Sequence, residues 1–396
     1  MSISLWQRRE YALPTTADAI VVGAGITGIS ASLAFESRGL HPLLLDQRFP
    51  GWGATGRNAG YLMRGAADNY AAAVRELGRE KARMLWRLTE SNLNRLRSLG
   101  ALELTHYRDY PSCLVAFETE EAEELASSCD LMREDGFTTH LIEPSSASDA
   151  LWIHGRPLLG QVNPGDAVCD PVELLAWLRS KLAHQPVPET TVQRIQSTDS
   201  GVIVHTNRGQ VHTDRLLVCT NAYTSPLLPD LGEHIKPNRG QMLALDATTL
   251  PQEERLQFAY YANHGSEYFR QIDETTVIVG GWRKHHADPE QTLDNNPSEP
   301  VQNGLEQFAE RVLGRRLPVL HRWAGTMGFT PDELPLAGPI DRQAGRDYPI
   351  WICAGFTGHG MSLGHEVASR TAEAMLGADP LPDLFDPHRF PASPGY

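Results

Sequence analysis

Six residues near the start constrain this chain most: Gly23-Ala24-Gly25-Ile26-Thr27-Gly28. The apolar run Ala19-Ile20-Val21-Val22 precedes them and reads as a strand buried on both faces. Ile29 to Arg38 follows with Ile29, Leu33 and Ala34 on one side, as in a helix, and Gly39 suits a left-handed cap at its end. A second apolar run, Leu43-Leu44-Leu45, ends at Asp46, close to the roughly twenty-residue offset expected of a dinucleotide site. Each part has a physical job. Gly23 permits a tight turn, Gly25 lets backbone approach a pyrophosphate, and Gly28 lets helix and strand pack closely. The helix N-terminus offers unpaired N–H groups and a positive dipole end to phosphates. Asp46 accepts hydrogen bonds from a ribose and repels a 2′-phosphate, which disfavours NADP. Alone, the pattern leaves NAD, FAD and a ligand-free strand–helix turn open.

The 396 residues exceed one typical domain, so two intertwined domains are expected. Lys and Arg total 35 against 49 Asp and Glu, a net charge of −14. An acidic surface argues against nucleic-acid and anionic-membrane partners. Five cysteines, at 113, 129, 169, 219 and 353, form no C-x-x-C pair and read as reduced intracellular thiols; no metal is expected. Arg8, Arg9 and Glu10 stand near the start without the long apolar core of a signal peptide, and no run approaches a membrane span. The expected location is cytoplasmic.

Along the chain, residues 51 to 65 read as a glycine-rich loop and 66 to 99 as one or two amphipathic helices. Leu114 to Phe117 reads as a strand and 119 to 135 as a surface helix. Asp170 and Pro171 start another helix as N-cap and first helical residue. Val202–Val204 and Leu216–Cys219 carry strand signals. From 240 to 281 the pattern becomes consecutive antiparallel strands, Gln241–Leu245, Glu267–Ile272 and Thr276–Val279. A polar loop spans 284 to 300, and a helix lies near 302–313. Then α/β grammar returns: the strand Ile350–Cys353, a turn over Ala354–Gly360, and a helix over 361 to 376.

Three segments in this order, Gly23–Gly28, Gly53-Ala54-Thr55-Gly56-Arg57-Asn58-Ala59-Gly60 and Phe356-Thr357-Gly358-His359-Gly360-Met361, resemble the FAD-dependent amine and amino-acid oxidoreductases. This is the D-amino-acid oxidase, glycine oxidase and sarcosine oxidase superfamily, and the resemblance runs through nearly the whole chain. The middle segment, with Tyr268-Phe269-Arg270 and Gly280-Gly281, looks most like the branch containing gamma-glutamylputrescine oxidoreductase. The resemblance implies an α/β chain: a Rossmann-like FAD-binding domain with an inserted α+β substrate domain built on an antiparallel sheet. The FAD-binding domain is expected over 1–75, 150–225 and 320–396, and the substrate-binding domain over 76–149 and 226–319.

By the same resemblance FAD lies extended. Gly23 to Gly28 hold the pyrophosphate, Asp46 the adenosine ribose with Gln47 and Arg48 beside it, and Ala54 to Gly60 run along the isoalloxazine. Val192 meets the adenine, and Thr220-Asn221-Ala222 close over the cofactor. Trp323 and Gly325 belong near the flavin. FAD is expected to be non-covalent: relatives attach it through a Cys in the segment matching Gly325-Thr326 or a His matching Asn58, and this chain has neither. The late turn has a role that stands without the resemblance. A flavin accepting hydride gains negative charge on its N1–C2=O edge, and backbone donors before a helix stabilise it. His359 adds a donor, as a cation or a suitable tautomer.

The implied reaction is oxidation of the C–N bond of a primary or secondary amine, a polyamine derivative or an N-alkyl amino acid. Hydride passes to flavin N5 and the imine is then hydrolysed. No catalytic acid or base is singled out. The pocket candidates are Tyr268 and Arg270, which share a strand face opposite Phe269, with Arg239, His264, Tyr260 and Tyr261. Glycine oxidase relatives carry a carboxylate-clamping Arg where this chain has Met327, and a thioether cannot pair with a carboxylate. Simple D-amino acids or glycine are therefore the alternative, requiring Arg270 or Arg239 as substitute. Oxidases of the sarcosine type place a Lys near the strand that here reads Val277-Ile278-Val279; this strand has none, so both O2 and a quinone or carrier stand as electron acceptor. A tRNA-modifying flavoprotein and a non-catalytic flavin-bound module are the rival classes, the first opposed by the −14 charge.

Overall fold

The apolar runs at the two ends of the chain meet in one sheet. The computed structural model describes residues 13–66, 68–146, 148–340 and 349–390; Arg8, Arg9 and Glu10 lie outside the described residues. The five strands stand in the order Leu336–Pro339, Ile350–Ala354, Leu216–Val218, Ala19–Val22, Pro42–Leu45. All pair in parallel except Leu336–Pro339 at one edge. Every residue of Ala19–Val22 is buried, as a strand covered on both faces requires. One face carries the helices Ile26–Ser37 and Gly360–Met375, packed on each other; a Cβ at Gly364 would lie 3.2 Å from Ile26 Cγ2. The other face meets the antiparallel meander Val192–Thr198, Gly201–Thr206 and Gly209–Thr213, whose valines join Ile20, Val22 and Leu216 in a common core.

A second sheet of eight strands runs in the order Val319–Phe329, Lys236–Asp246, Thr276–Gly280, Glu267–Gln271, Ala259–Ala262, Ser112–Ala116, Leu159–Asn163, His140–Ile142. The strands expected between 240 and 281 are antiparallel neighbours here. One pairing departs from the antiparallel pattern: Ala259–Ala262 lies parallel to Ser112–Ala116. The sheet also takes Leu159–Asn163 and Val319–Phe329 from segments that the sequence division gives to the nucleotide domain. Val319–Phe329 is recruited because it pairs along nearly the whole of Lys236–Asp246. Helix Glu299–Leu313 covers one face, its Leu305, Phe308 and Val312 packing on Phe269 and Val279. Its start, earlier than the periodicity suggests, puts Pro300 in the first turn. The polar stretch before it contains two short turns of helix, Arg283–His286 and Ala287–Glu290. Among the described residues no helix is long and apolar enough to cross a membrane.

Candidate active site

Gly23 adopts φ +102°, and a Cβ there would come within 2.7 Å of the Cys219 carbonyl. Asp46 does more than face a ligand. Its Oδ2 accepts from Ala24 N at 2.7 Å and its Oδ1 from Arg48 N at 2.7 Å, so the acid pins the turn while keeping lone pairs for a further donor. Burial raises its pKa, and those two backbone N–H groups oppose the shift. Ile26 N donates to Thr55 Oγ1 at 3.1 Å, tying the glycine-rich loop to the helix start. Gly25, as N-cap, closes no side chain over the other first-turn N–H groups.

A cavity begins at this turn. Gly23, Gly25, Ile26, Thr27, Asp46 and Gln47 line one end, with Val192 from the meander. Gly53, Ala54, Thr55 and Asn58 line its flank, with Thr220 and Asn221 beside them. Phe356, Gly358, Gly360 and Met361 line the far end, where helix Gly360–Met375 starts. Glycine turn, acid and second helix N-terminus around one cavity fit FAD.

Other predicted residues build the walls from behind. Ala24, Gly28, Arg48, Gly56 and Gly60 do not line this cavity. The Arg48 guanidinium lies 5.4 Å from the Trp52 ring centroid. A Cβ at Gly56 would sit 2.3 Å from the Gly51 carbonyl. Trp323 lines neither the cofactor cavity nor the chamber described below: its Nε1 donates to Arg57 O at 2.9 Å, supporting the loop from the opposite face. Asn58 holds the loop in shape, its Nδ2 donating to Thr55 O at 2.8 Å and its Oδ1 accepting from Gly60 N at 2.7 Å. Asn221, at φ +46°, accepts from Gly355 N and Phe356 N, joining the end of one strand to the late turn.

A second cavity, an aromatic chamber, adjoins the far end. Tyr61, Tyr261 and Tyr268 form one wall, with ring centroids 5.1 to 6.2 Å apart. Burial raises the pKa of all three hydroxyls. Gly280 exists for this wall, since a Cβ there would meet the Tyr268 ring at 2.3 Å; a Cβ at Gly240 would meet the Met327 methyl at 2.8 Å. Arg57, Ala59, Gly325, Thr357 and His359 also border the chamber. Ala54, Asn58, Met327, Gly358 and Met361 line both cavities.

Several pocket candidates lie elsewhere. Arg270 is buried and spent on backbone: Nε donates to Ala59 O at 2.9 Å and Nη2 to Cys169 O at 3.0 Å. Arg239 is buried in a two-pronged pair with Glu290, at 2.7 Å on each prong, and cannot reach the chamber. Tyr260 is core, donating to Asp149 Oδ2 at 2.5 Å and stacked on Phe269. His264 is exposed, with Asp68 at 3.5 Å and Glu124 at 3.6 Å, outside both cavities. Sequence reasoning missed Arg283, which lines the chamber with Tyr261 and Tyr268. The only signal was its place just after Gly280-Gly281, where no periodicity sets direction.

The cationic form of His359 is not favoured. Burial pushes its pKa down to about 4, with the Arg283 charge acting the same way. Its Nδ1 lies 3.0 Å from Thr357 O, so the neutral ring carries its proton on Nδ1. Negative charge at the far end of the cavity therefore falls to the N–H groups of the helix start. His365, buried with Nδ1 2.8 Å from Ser30 Oγ, is also pushed down to about 4 by burial. Both histidines bind protons more readily unfolded, where the ordinary value is 6.5. Their contribution to stability is complete above that value and lost as pH falls towards 4, at about 1.4 kcal/mol per pH unit for each histidine. Urea unfolding of His365→Asn should show a shallower fall over this window than the parent; equal slopes would contradict the assignment.

Fold and site together define a flavin-nucleotide oxidoreductase with a small-molecule chamber. The chain belongs to the FAD dependent oxidoreductase family, which matches residues 18–374. It is 24% identical to the gamma-glutamylputrescine oxidoreductase of Escherichia coli (strain K12) over 383 residues, covering 91% of this chain and 84% of that protein. The L-proline dehydrogenase from P. horikoshii has a similar structure, with a TM-score of 0.77 at 20% identity over 95% of this chain and 98% of the other. Glycine oxidase from Geobacillus kaustophilus gives 0.76 at 19% identity, over 95% and 100%.

Proposed function

We propose that the protein oxidises the C–N bond of a primary or secondary amine, a polyamine derivative or an N-alkyl amino acid, to an imine that water hydrolyses. The observation that carries this reading is the wall shared by the two cavities. A molecule in the chamber that touches Met327, Gly358 and Met361 also touches the far end of the cofactor cavity. FAD, when bound, supplies the acceptor for the hydride leaving the α carbon. The chain's own residues do the positioning. The tyrosine wall and Met327 hold the apolar body of the amine and exclude water. The three hydroxyls keep their protons and His359 is a weak base, so the amine docks after losing its ammonium proton to solvent. The similar proteins, a gamma-glutamylputrescine oxidoreductase, an L-proline dehydrogenase and a glycine oxidase, support C–N chemistry.

Non-covalent FAD is supported by the thiols. Cys219 is the one described cysteine lining either cavity, and burial pushes its pKa well above the ordinary value, keeping it un-nucleophilic. Lys284, the first lysine after the strand Val277-Ile278-Val279, is exposed and borders neither cavity, which supports an acceptor other than O2, a quinone or carrier. Anaerobic titration of the purified holoprotein with an amine panel should bleach the oxidised flavin band, and denaturation should leave all flavin in the supernatant. A flavin that no amine reduces would refute the reaction, and flavin in the pellet would refute the non-covalent site.

A further inference from the structure

We infer that Arg283 is a carboxylate anchor, so that the amine oxidised in the chamber carries a carboxylate. The inference rests on the amine-oxidation reading and narrows its substrate class to N-alkyl amino acids and related amino-acid amines rather than free polyamines.

The arginines around the flavin loop are already engaged. Arg57 donates from Nε to Trp52 O at 2.8 Å and from Nη1 to Ala324 O at 2.9 Å. Arg270 and Arg239 are held as described above. Arg283 lines the chamber, yet among the described residues its guanidinium makes no hydrogen bond or ion pair. It lies over the ring of Phe329, with Cζ 4.9 Å from the centroid. Stacking on a ring fixes the plane of the guanidinium and leaves its N–H fork free. Glu333 senses the Arg283 charge but makes no ion pair with it. A half-buried guanidinium without an anion loses hydration and gains no partner, so an entering carboxylate offsets that cost with two parallel hydrogen bonds.

The backbone that delivers Arg283 is strained and locked. Trp282 lies at φ +63°, an uncommon conformation for a bulky residue that costs about 1–3 kcal/mol. Its indole fills a notch in helix Glu299–Leu313, where a Cβ at Gly304 would fall 1.9 Å from Nε1. His285 closes over the ring at 4.3 Å. With Trp282 seated in this notch, the next residue is held at the chamber, where its charge is felt by Tyr261, Tyr268 and His359. Met327 offers only a thioether, so an anion in the chamber has Arg283 as its one uncommitted cationic partner among the described lining residues.

The test is equilibrium binding of non-reacting probes to the holoenzyme, followed by flavin difference absorption and calorimetry. Butyrate should bind at least roughly 10-fold more tightly than butyramide. Arg283→Met should weaken butyrate by roughly 10- to 100-fold and leave butyramide unchanged. Arg283→Lys, which keeps the charge but not the fork, should fall between. Butyrate binding no tighter than butyramide in the parent enzyme overturns the inference, and this comparison holds even if a variant folds poorly. Unaltered butyrate affinity in Arg283→Lys and Arg283→Met overturns it as well. The two readings fail separately. Amines that bleach the flavin while butyrate does not bind remove the anchor alone. Butyrate bound through Arg283 with no amine turned over removes the reaction and supports the anion site.

Discussion

Replacing Gly28 by Ala should yield a poorly folding protein without flavin. A Cβ at this position would lie 1.8 Å from the Gly23 carbonyl oxygen and 3.4 Å from Leu44 Cδ1. The first of these is backbone and cannot step aside. Gly23 is itself fixed, its N–H donating to Leu45 O at 2.7 Å, and the neighbouring Ala24 carbonyl accepts from Gly51 N at 3.1 Å. Relief therefore requires the helix to lift from the sheet, which opens the turn and displaces the start of the flavin loop. Ordinary overpacking costs about 1–3 kcal/mol, and a backbone clash of this depth belongs above that range. The control is Gly53→Ala, where an added Cβ meets nothing within 4 Å. Melted without flavin, that variant should stay within about 1 °C of the parent, because its Cβ meets no protein atom and such changes stay within about 0.5 kcal/mol. Circular dichroism melting and flavin content per chain decide the matter; a yellow Gly28→Ala protein with unchanged melting would contradict the packing described.

Arg270→Met should lower both stability and FAD affinity, although this residue lies behind the chamber rather than in it. The substitution orphans two buried carbonyls, Ala59 O and Cys169 O, at about 1–3 kcal/mol each. Ala59 belongs to the loop that flanks the cofactor cavity, so part of the loss falls on the geometry of that loop. FAD affinity is expected to drop at least roughly tenfold, the equivalent of about 1.4 kcal/mol. Arg270→Lys should rescue little, because a single ammonium cannot reproduce two diverging N–H bonds. Retained FAD affinity in Arg270→Met would show that the strut does not hold the loop.

The contrast between Arg270 and Arg283 shows how far sequence reading reaches. Strand periodicity correctly separates Phe269, which enters the core, from Tyr268, which reaches the chamber. It also puts Arg270 on the Tyr268 face, but cannot reveal that two carbonyls from distant segments consume its donors. The same holds for Arg239, whose partner Glu290 sits in a stretch that reads only as polar loop. Arg283 follows a left-handed Trp282 whose conformation depends on a notch in a later helix, so no local pattern announces it. By contrast, the first strand–turn–helix and the late turn were legible because their glycines, apolar runs and Asp46 act on near neighbours. The recruitment of Val319–Phe329 into the eight-stranded sheet was not, since it is decided by pairing with Lys236–Asp246.

The five-stranded sheet has a consequence for how the protein is made. Ile20 pairs with Leu216, and Leu216 in turn with Ile350. Ala19–Val22 can pair early with the nearby Pro42–Leu45, but on the ribosome its other edge emerges long before Leu216–Val218, and the late turn follows later still. Until residues 216–218 are made, the nascent chain therefore carries one unpaired edge of an apolar strand, Ala19–Val22, a state prone to aggregation and slow to resolve. Closing of the cofactor cavity thus waits for the late turn, so co-expressed chaperones should raise the yield of yellow protein.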